Sequence, residues 1–171
     1  MARLKAFTLL ELMTVIVIIA ILGTILLGTT EKVRARVERV RCVNNLRGLH
    51  VAASSYLQQN GKWPQINPFL LKKKDGVYEE RWVKALEPFG VQPKNWLCPT
   101  VTRVLGEPDW KKTKSYRIDY TPMPFDDKPF TPHRWTKQPW FIEKGDVHGS
   151  GNLIIFPDGS ITTLNELAGK R

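Results

Sequence analysis

The sequence predicts an α+β fold, one long N-terminal helix followed by a small antiparallel sheet. Three observations predict it. Residues 7–27 read FTLLELMTVIVIIAILGTILL, an apolar run in which Glu11 is the only charge. Beyond Gly28, Val33, Val37, Val40, Val43, Leu46, His50, Ala53 and Leu57 recur at steps of three and four, the period of one helix face. All six Trp lie beyond residue 60, in a stretch that ends with two short apolar runs joined by Pro157-Asp158-Gly159-Ser160.

The elements follow in order. Residues 8–60 are expected to form one helix of roughly 80 Å, with Gly23 and Gly28 as the places for bending. Asn60-Gly61 stops it and Pro64 reinforces the stop. Its half from about Val33 to Leu57 is expected to pack on the head. Glu79 to Phe89 reads as a short helix ended by Pro88 and Gly90. Residues 90–137 hold many Pro and few clear periods, and are expected to be mostly loop. Ser115 to Tyr120 and Trp140 to Glu143 read as short strands. The clearest hairpin pairs Asn152–Phe156 with Ile161–Leu164, because Pro-Asp-Gly supplies the fixed φ and the positive φ of a tight turn. Asn165 to Ala168 reads as a last short helix. This gives a leader over 1–6, a stalk over 7–28, its amphipathic continuation over 29–60, and a head over 61–171.

Composition bounds the function. A chain of 171 residues excludes a multidomain machine, and 42% apolar with 10% aromatic residues excludes disorder as the default. The mean hydropathy is −0.27 despite the apolar run, so the rest is decidedly polar. Two Cys exclude a dense disulfide scaffold and a four-Cys zinc site, but allow one bridge. The net charge of +10 permits anionic partners without identifying one.

The N-terminal run has two readings from the residues themselves. Arg3 and Lys5 suit a cleaved secretory signal, but the run exceeds the usual ~7–15 apolar residues and no small-x-small site stands clearly after it. A plain membrane anchor fits the length, since twenty-one residues span roughly 31 Å. It leaves Glu11 unexplained, because a carboxylate in an apolar segment costs roughly 2.5–3.5 kcal/mol near the centre and usually has a partner.

The third reading comes from a resemblance. A basic leader, a small residue, then Phe7-Thr8-Leu9-Leu10-Glu11-Leu12 and a long Ile/Val/Leu run resembles the prepilin signal of type IV pilins and type II secretion pseudopilins. The resemblance implies a pilin-like fold and a membrane-embedded prepilin peptidase that cuts between Ala6 and Phe7 and methylates the new Phe7 amine. Ala6 stands where that family usually has Gly. It implies that the apolar segment stays in the mature chain, and that Glu11 pairs with the amine of a neighbouring subunit during filament assembly. An opposite charge offsets the cost of burying an ammonium. It also implies a cytoplasmic leader and a periplasmic head on a single-pass segment of the bacterial inner membrane. A positive-inside count points the other way, because Lys32, Arg34, Arg36, Arg39, Arg41 and Arg47 follow the run.

A second, narrower resemblance lies in the head. Arg41-Cys42-Val43-Asn44-Asn45-Leu46, Leu97-Cys98-Pro99, and His148 with Asp158-Gly159 resemble pseudopilin-like proteins carrying a His–nine–Asp-Gly segment. That segment implies no defined role. A strand is expected between His148 and Asp158, placing them near opposite ends of it, and no nucleophile motif accompanies them. Calcium in the head is conceivable, as in some pseudopilins, but Asp146, Asp158 and nearby carbonyls are too few to establish a site. No catalytic residue, cofactor or metal is therefore assigned. Given an extracytoplasmic head, Cys42 and Cys98 read either as a disulfide, nominally worth roughly 4 kcal/mol through loop closure, or as two buried thiols.

The expected partners are prepilin peptidase, other pilin or pseudopilin subunits, and an inner-membrane assembly platform. Losing residues 1–6 removes Arg3 and Lys5 and leaves +8 on the mature side chains. Lys72-Lys73-Lys74 and Lys111-Lys112 admit DNA binding, but no nucleic-acid fold supports it. Three function classes stand: a pseudopilus subunit for type II secretion, a surface-fibre pilin for adhesion or DNA uptake, and a membrane-anchored enzyme or binding protein.

Overall fold

The structure is a computed structural model that describes residues 8–169, without the side chains of residues 25–29. The chain divides into two compact units, Met1–Val37 and Glu38–Arg171. Helix α1, Leu9–Asn60, contributes to both. It starts where its sequence caps itself. Thr8 Oγ1 accepts the Glu11 backbone N–H at 3.3 Å, and the Glu11 carboxylate accepts the Thr8 backbone N–H at 3.0 Å. This reciprocal box satisfies donors that the first turn leaves open. The helix stops at Asn60, where Gly61 takes a φ of 66°.

In the first unit, the described apolar side chains face outward. Those from Leu9 to Leu22 that carry large aliphatic groups are 44–77% exposed. No helix among the described residues is long and apolar enough to cross a membrane. Phe7 and the side chains of residues 25–29, part of the apolar run, lie outside the described set.

The second unit holds the core. Its α1 face is Glu38, Cys42, Leu46, Leu49, Ala52, Ala53 and Leu57, all buried. This corrects the face expected from the sequence. Leu46, Ala53 and Leu57 belong to it, but Val33, Val37 and Val40 are 57%, 45% and 58% exposed. The step through Glu38 and Cys42 keeps the same period on a different phase, because a buried carboxylate and a thiol carry the stripe where aliphatic residues would be sought. Ala52 and Ala53, fully buried, let other chain segments approach the helix closely.

Helix α2, Val77–Leu86, presents Tyr78, Trp82, Val83 and Leu86 inward and runs into a 3-10 turn at Glu87–Phe89. The middle of the head is more ordered than its composition suggests. A 3-10 turn spans Pro93–Trp96, helix α3 spans Pro99–Leu105, and helix α4 spans Thr131–Arg134. Each has Pro in its first turn, where the missing N–H costs nothing. The prolines read as loop formers in sequence are helix starters here. The strand expected over Ser115–Tyr120 begins only at its end: Thr113–Ser115 is a 3-10 turn, and β1 is Tyr120–Pro122.

Strands β2, Phe141–Glu143, β3, Leu153–Ile155, and β4, Ile161–Thr163, complete an antiparallel sheet in the order β1-β2-β3-β4. Tyr120 faces Glu143, Phe141 faces Ile155, and Leu153 faces Thr163. The β3–β4 turn uses Pro157-Asp158-Gly159 as expected, with Gly159 at a φ of 78°. Helix α5, Leu164–Leu167, is started by a Thr163/Glu166 capping box. The architecture is the α+β, pilin-like arrangement of a long N-terminal helix with a small antiparallel sheet.

Strands of three residues bury little by themselves. Trp63, Trp82, Trp96, Trp140 and Phe141, each at most 1% exposed, fill the space between α1, α2 and the sheet. Trp63 is the centre of this cluster, with ring centroids 5.0 Å from Trp140 and 6.0 Å from Trp82 and Phe141. Its Nε1–H donates to the Met123 carbonyl at 2.9 Å, so the indole is buried without losing its hydrogen bond.

Candidate functional site

Cys42 sits on the buried face of α1, one turn after Glu38 and one before Leu46. Cys98 caps the start of α3 from an extended backbone. Three contacts hold it there. The Asn45 side chain donates to the Leu97 carbonyl at 3.0 Å, and the Cys98 backbone N–H donates to Asp119 Oδ2 at 2.8 Å. Arg117 Nε lies 3.1 Å from the other Asp119 oxygen. The Cys-x-x-Asn spacing on α1 therefore places a thiol and a loop-anchoring amide almost one turn apart, and the loop carries the second thiol back to the first. The two Sγ atoms lie 3.1 Å apart as free thiols.

Two further side chains complete the cluster. Glu143 ends β2 and His148 stands in the β2–β3 connection. His148 Nε2 lies 3.3 Å from Cys42 Sγ, 3.7 Å from Cys98 Sγ and 3.3 Å from Glu143 Oε1. The other Glu143 oxygen accepts the Leu153 backbone N–H at 3.3 Å, which fixes the carboxylate plane. Both cysteines are fully buried, and the Glu143 and His148 side chains are 0% and 4% exposed. Among the described residues, these four are the cluster whose ligand atoms all lie within 4.8 Å of one another.

The electrostatics are those of a closed, crowded site. Cys42 donates its thiol hydrogen to Cys98, so the Cys98 thiol is held below its ordinary value, aided by the Val101 and Thr100 backbone N–H groups. The same hydrogen bond, then burial, pushes the Cys42 thiol far up. Burial raises the Glu143 carboxyl, and negative charge on Cys98 raises it further, while His148 opposes both. Burial also raises Asp119, against the Cys98 N–H and the Arg117 charge. The Tyr120 hydroxyl lies against Cys42 and within 3.5 Å of the Asn45 amide.

The sequence-derived site residues separate into three places. Ala6 and Phe7 lie outside the described residues. Glu11 is engaged by Thr8 at the start of α1, its Oε2 accepting both the backbone N–H and, at 2.8 Å, the hydroxyl. Cys42, Cys98 and His148 come together in the head. Asp158 and Gly159 do not join them. They form the β3–β4 turn, where Asp158 Oδ1 accepts the Ser160 N–H at 2.9 Å. The Pro157 carbonyl meets His50 Nε2 at 2.9 Å, and the His50 ring stacks on Trp140. His148 and Asp158 thus act at separate points, as the intervening strand β3 requires. Glu143 was not singled out in the sequence. Its signal was an acidic residue closing an otherwise apolar run, Trp140 to Glu143, at a position that faces a buried Tyr120.

Residues 1–27 match the family model described as the prokaryotic N-terminal methylation motif. No curated protein and no solved structure matches the chain significantly. The chain therefore carries a prepilin-type processing signal on a helix that continues into an α+β head.

Proposed function

We propose that this chain is a structural pseudopilin-like subunit that assembles through its N-terminal helix into a filament for type II protein secretion. The reading starts from a chain bearing the pilin-type methylation motif, whose processing enzyme is prepilin peptidase and whose partners are other pilin-type subunits. The observation that supports assembly is the solvent-facing α1 surface. Leu9, Leu10, Leu12, Met13, Val15, Ile16, Val17, Ile18, Ile19, Ile21 and Leu22 are all exposed. A continuous apolar surface of that kind needs lipid or neighbouring helices to cover it. Residues 7–28 lie in the inner membrane before assembly and against sister helices after it. The leader is cytoplasmic and the head periplasmic. The chain is a substrate of an enzyme, and its own role is mechanical.

Cleavage between Ala6 and Phe7 places a new amine one residue ahead of Thr8. Glu11 already presents its carboxylate at that end of the helix, held by Thr8. Pairing with the amine of a neighbouring subunit would neutralise both charges as they leave water and fix the axial register.

The test is intact mass and N-terminal sequencing of protein taken from its native membrane. A mature chain beginning at N-methylated Phe7 is expected. A chain still beginning near Met1 would reduce the segment to a plain anchor and overturn the reading. Glu11→Ala is expected to insert but to stay out of filaments; normal incorporation would remove the assembly role of Glu11. Electron microscopy showing long surface fibres built from this chain would replace the secretion filament with an adhesion or DNA-uptake pilus.

A further inference from the structure

We infer that Cys42, Cys98, Glu143 and His148 form a closed structural site for one zinc ion, which ties α1, the start of α3, the end of β2 and the β2–β3 connection together. This does not depend on the proposed filament role.

The argument begins with proton counting. His148 Nε2 faces three acceptor-capable atoms at 3.3–3.7 Å, two sulfurs and a carboxylate oxygen. That nitrogen carries at most one proton, which can serve only one of them, and the Cys42 thiol hydrogen is directed at Cys98. Glu143 Oε1 is buried and no well-aligned donor reaches it among the described residues, with His148 Nε2 3.3 Å away and the Cys98 thiol beside it. Its sister oxygen is already fixed by Leu153 N–H, so the unpaired oxygen is the one aimed into the cluster. A buried carboxylate oxygen without a donor is costly. A cation at the centre would satisfy all four groups at once.

The distances fit a small tetrahedral ion. Zinc binds sulfur at about 2.3 Å and nitrogen or oxygen at about 2.0–2.2 Å, so tetrahedral edges are about 3.3 Å for N···O, 3.5 Å for S···N and 3.8 Å for S···S. The observed N···O separation is 3.3 Å, and the two S···N separations, 3.3 and 3.7 Å, bracket the ideal. Of these four separations the sulfur pair departs, at 3.1 Å. It would open by about 0.7 Å on loading, whereas a disulfide would need it to close by about 1 Å. A disulfide would use the two sulfurs alone and leave Glu143 Oε1 to His148 Nε2, 3.3 Å away. The metal uses every member.

Ligand type selects among cations. Two thiolates and an imidazole exclude calcium and magnesium, which take oxygen ligands, and match zinc. All four positions come from protein and are shielded from solvent, so no open position remains for a substrate, as in structural zinc sites. Binding releases the thiol protons of Cys42 and Cys98, keeps Glu143 ionised and takes neutral His148 through Nε2. The supporting layer is in place: Tyr120 at Cys42, Asp119 on the Cys98 N–H, and Leu153 N–H on Glu143.

The test uses the full chain in detergent, reduced and stripped of metal by a chelator, titrated with cobalt(II) as a spectroscopic probe. One equivalent is expected to give intense visible d–d bands of tetrahedral cobalt and a near-ultraviolet thiolate charge-transfer band, both abolished by zinc. Cys98→Ser is expected to remove most of the charge-transfer intensity. Glu143→Gln and His148→Ala are expected to weaken binding at least about tenfold. The wild-type titration decides the question even if a variant fails to fold: absence of the bands, or octahedral cobalt spectra, overturns the site. Protein isolated from membranes without reductant supplies an independent readout. Zinc recovered in one-to-one ratio supports the inference, and a mass short by two hydrogens, showing a Cys42–Cys98 disulfide, overturns it.

Discussion

Replacing Leu49 with Ala tests where the helix–head interface lies. Leu49 is fully buried on α1, whereas Val40, on the face that apolar spacing alone would select, is 58% exposed. Leu49→Ala removes three carbons from the core, about 2.4 kcal/mol at roughly 0.8 kcal/mol each. Leu49 belongs to a buried core cluster that includes four rigid Trp rings and relaxes only partly around a gap, so a cavity term brings the loss to about 3–4 kcal/mol. Val40→Ala removes little buried surface and gains slightly in helix propensity, so it should stay within about 0.5 kcal/mol of wild type. The assay is thermal unfolding of the full chain in detergent with chelator and reductant, followed by the fluorescence of the buried indoles. Leu49→Ala should lower the midpoint by about 10–15 °C, and Val40→Ala by no more than about 2 °C. Equal losses, or a larger loss at Val40, would refute the phase of α1 and the core built on it.

Two further outcomes follow from particular contacts. Gly76 has a φ of 76°, and a Cβ there would stand 1.8 Å from the Thr113 carbonyl oxygen, so Gly76→Ala should cost at least about 2 kcal/mol in the same assay. An unchanged midpoint would contradict that close approach. His50 joins α1 to the β3–β4 turn through the Pro157 carbonyl and stacks on Trp140 at 4.7 Å. His50→Ala should cost about 1–2 kcal/mol and speed hydrogen exchange at the turn amides of Gly159 and Ser160 more than at Leu49. Uniform exchange changes would mean that His50 does not clamp the turn.

Much of the fold was legible in local chemistry. The helix stop at Asn60-Gly61, the Pro157-Asp158-Gly159 turn and the helix at Val77–Leu86 each depend on residues adjacent in the chain. The processing signal is local too, since a peptidase reads a contiguous segment. The middle of the head was read less well. Pro93, Pro99 and Pro132 have the same composition signature whether they interrupt a loop or begin a short helix, and contacts from distant segments distinguish them here, such as the Cys98 N–H on Asp119 before α3 and the Trp140 Nε1–H on the Pro132 carbonyl in α4.

The amino-acid order by itself determined the long N-terminal helix, its apolar exposed first turns, the closing hairpin and the methylation motif over residues 1–27. It also carried the two cysteines and His148, but as separate features on segments with no common period. Tertiary structure decided that they meet, and that Glu143 meets them. Bringing atoms up to 106 positions apart within 4.8 Å of one another is a property of how α1, the Leu97-Cys98 loop and β2 dock. That docking is set by the Asn45 and Asp119 hydrogen bonds and by Trp packing, none of which leaves a periodic trace along the chain.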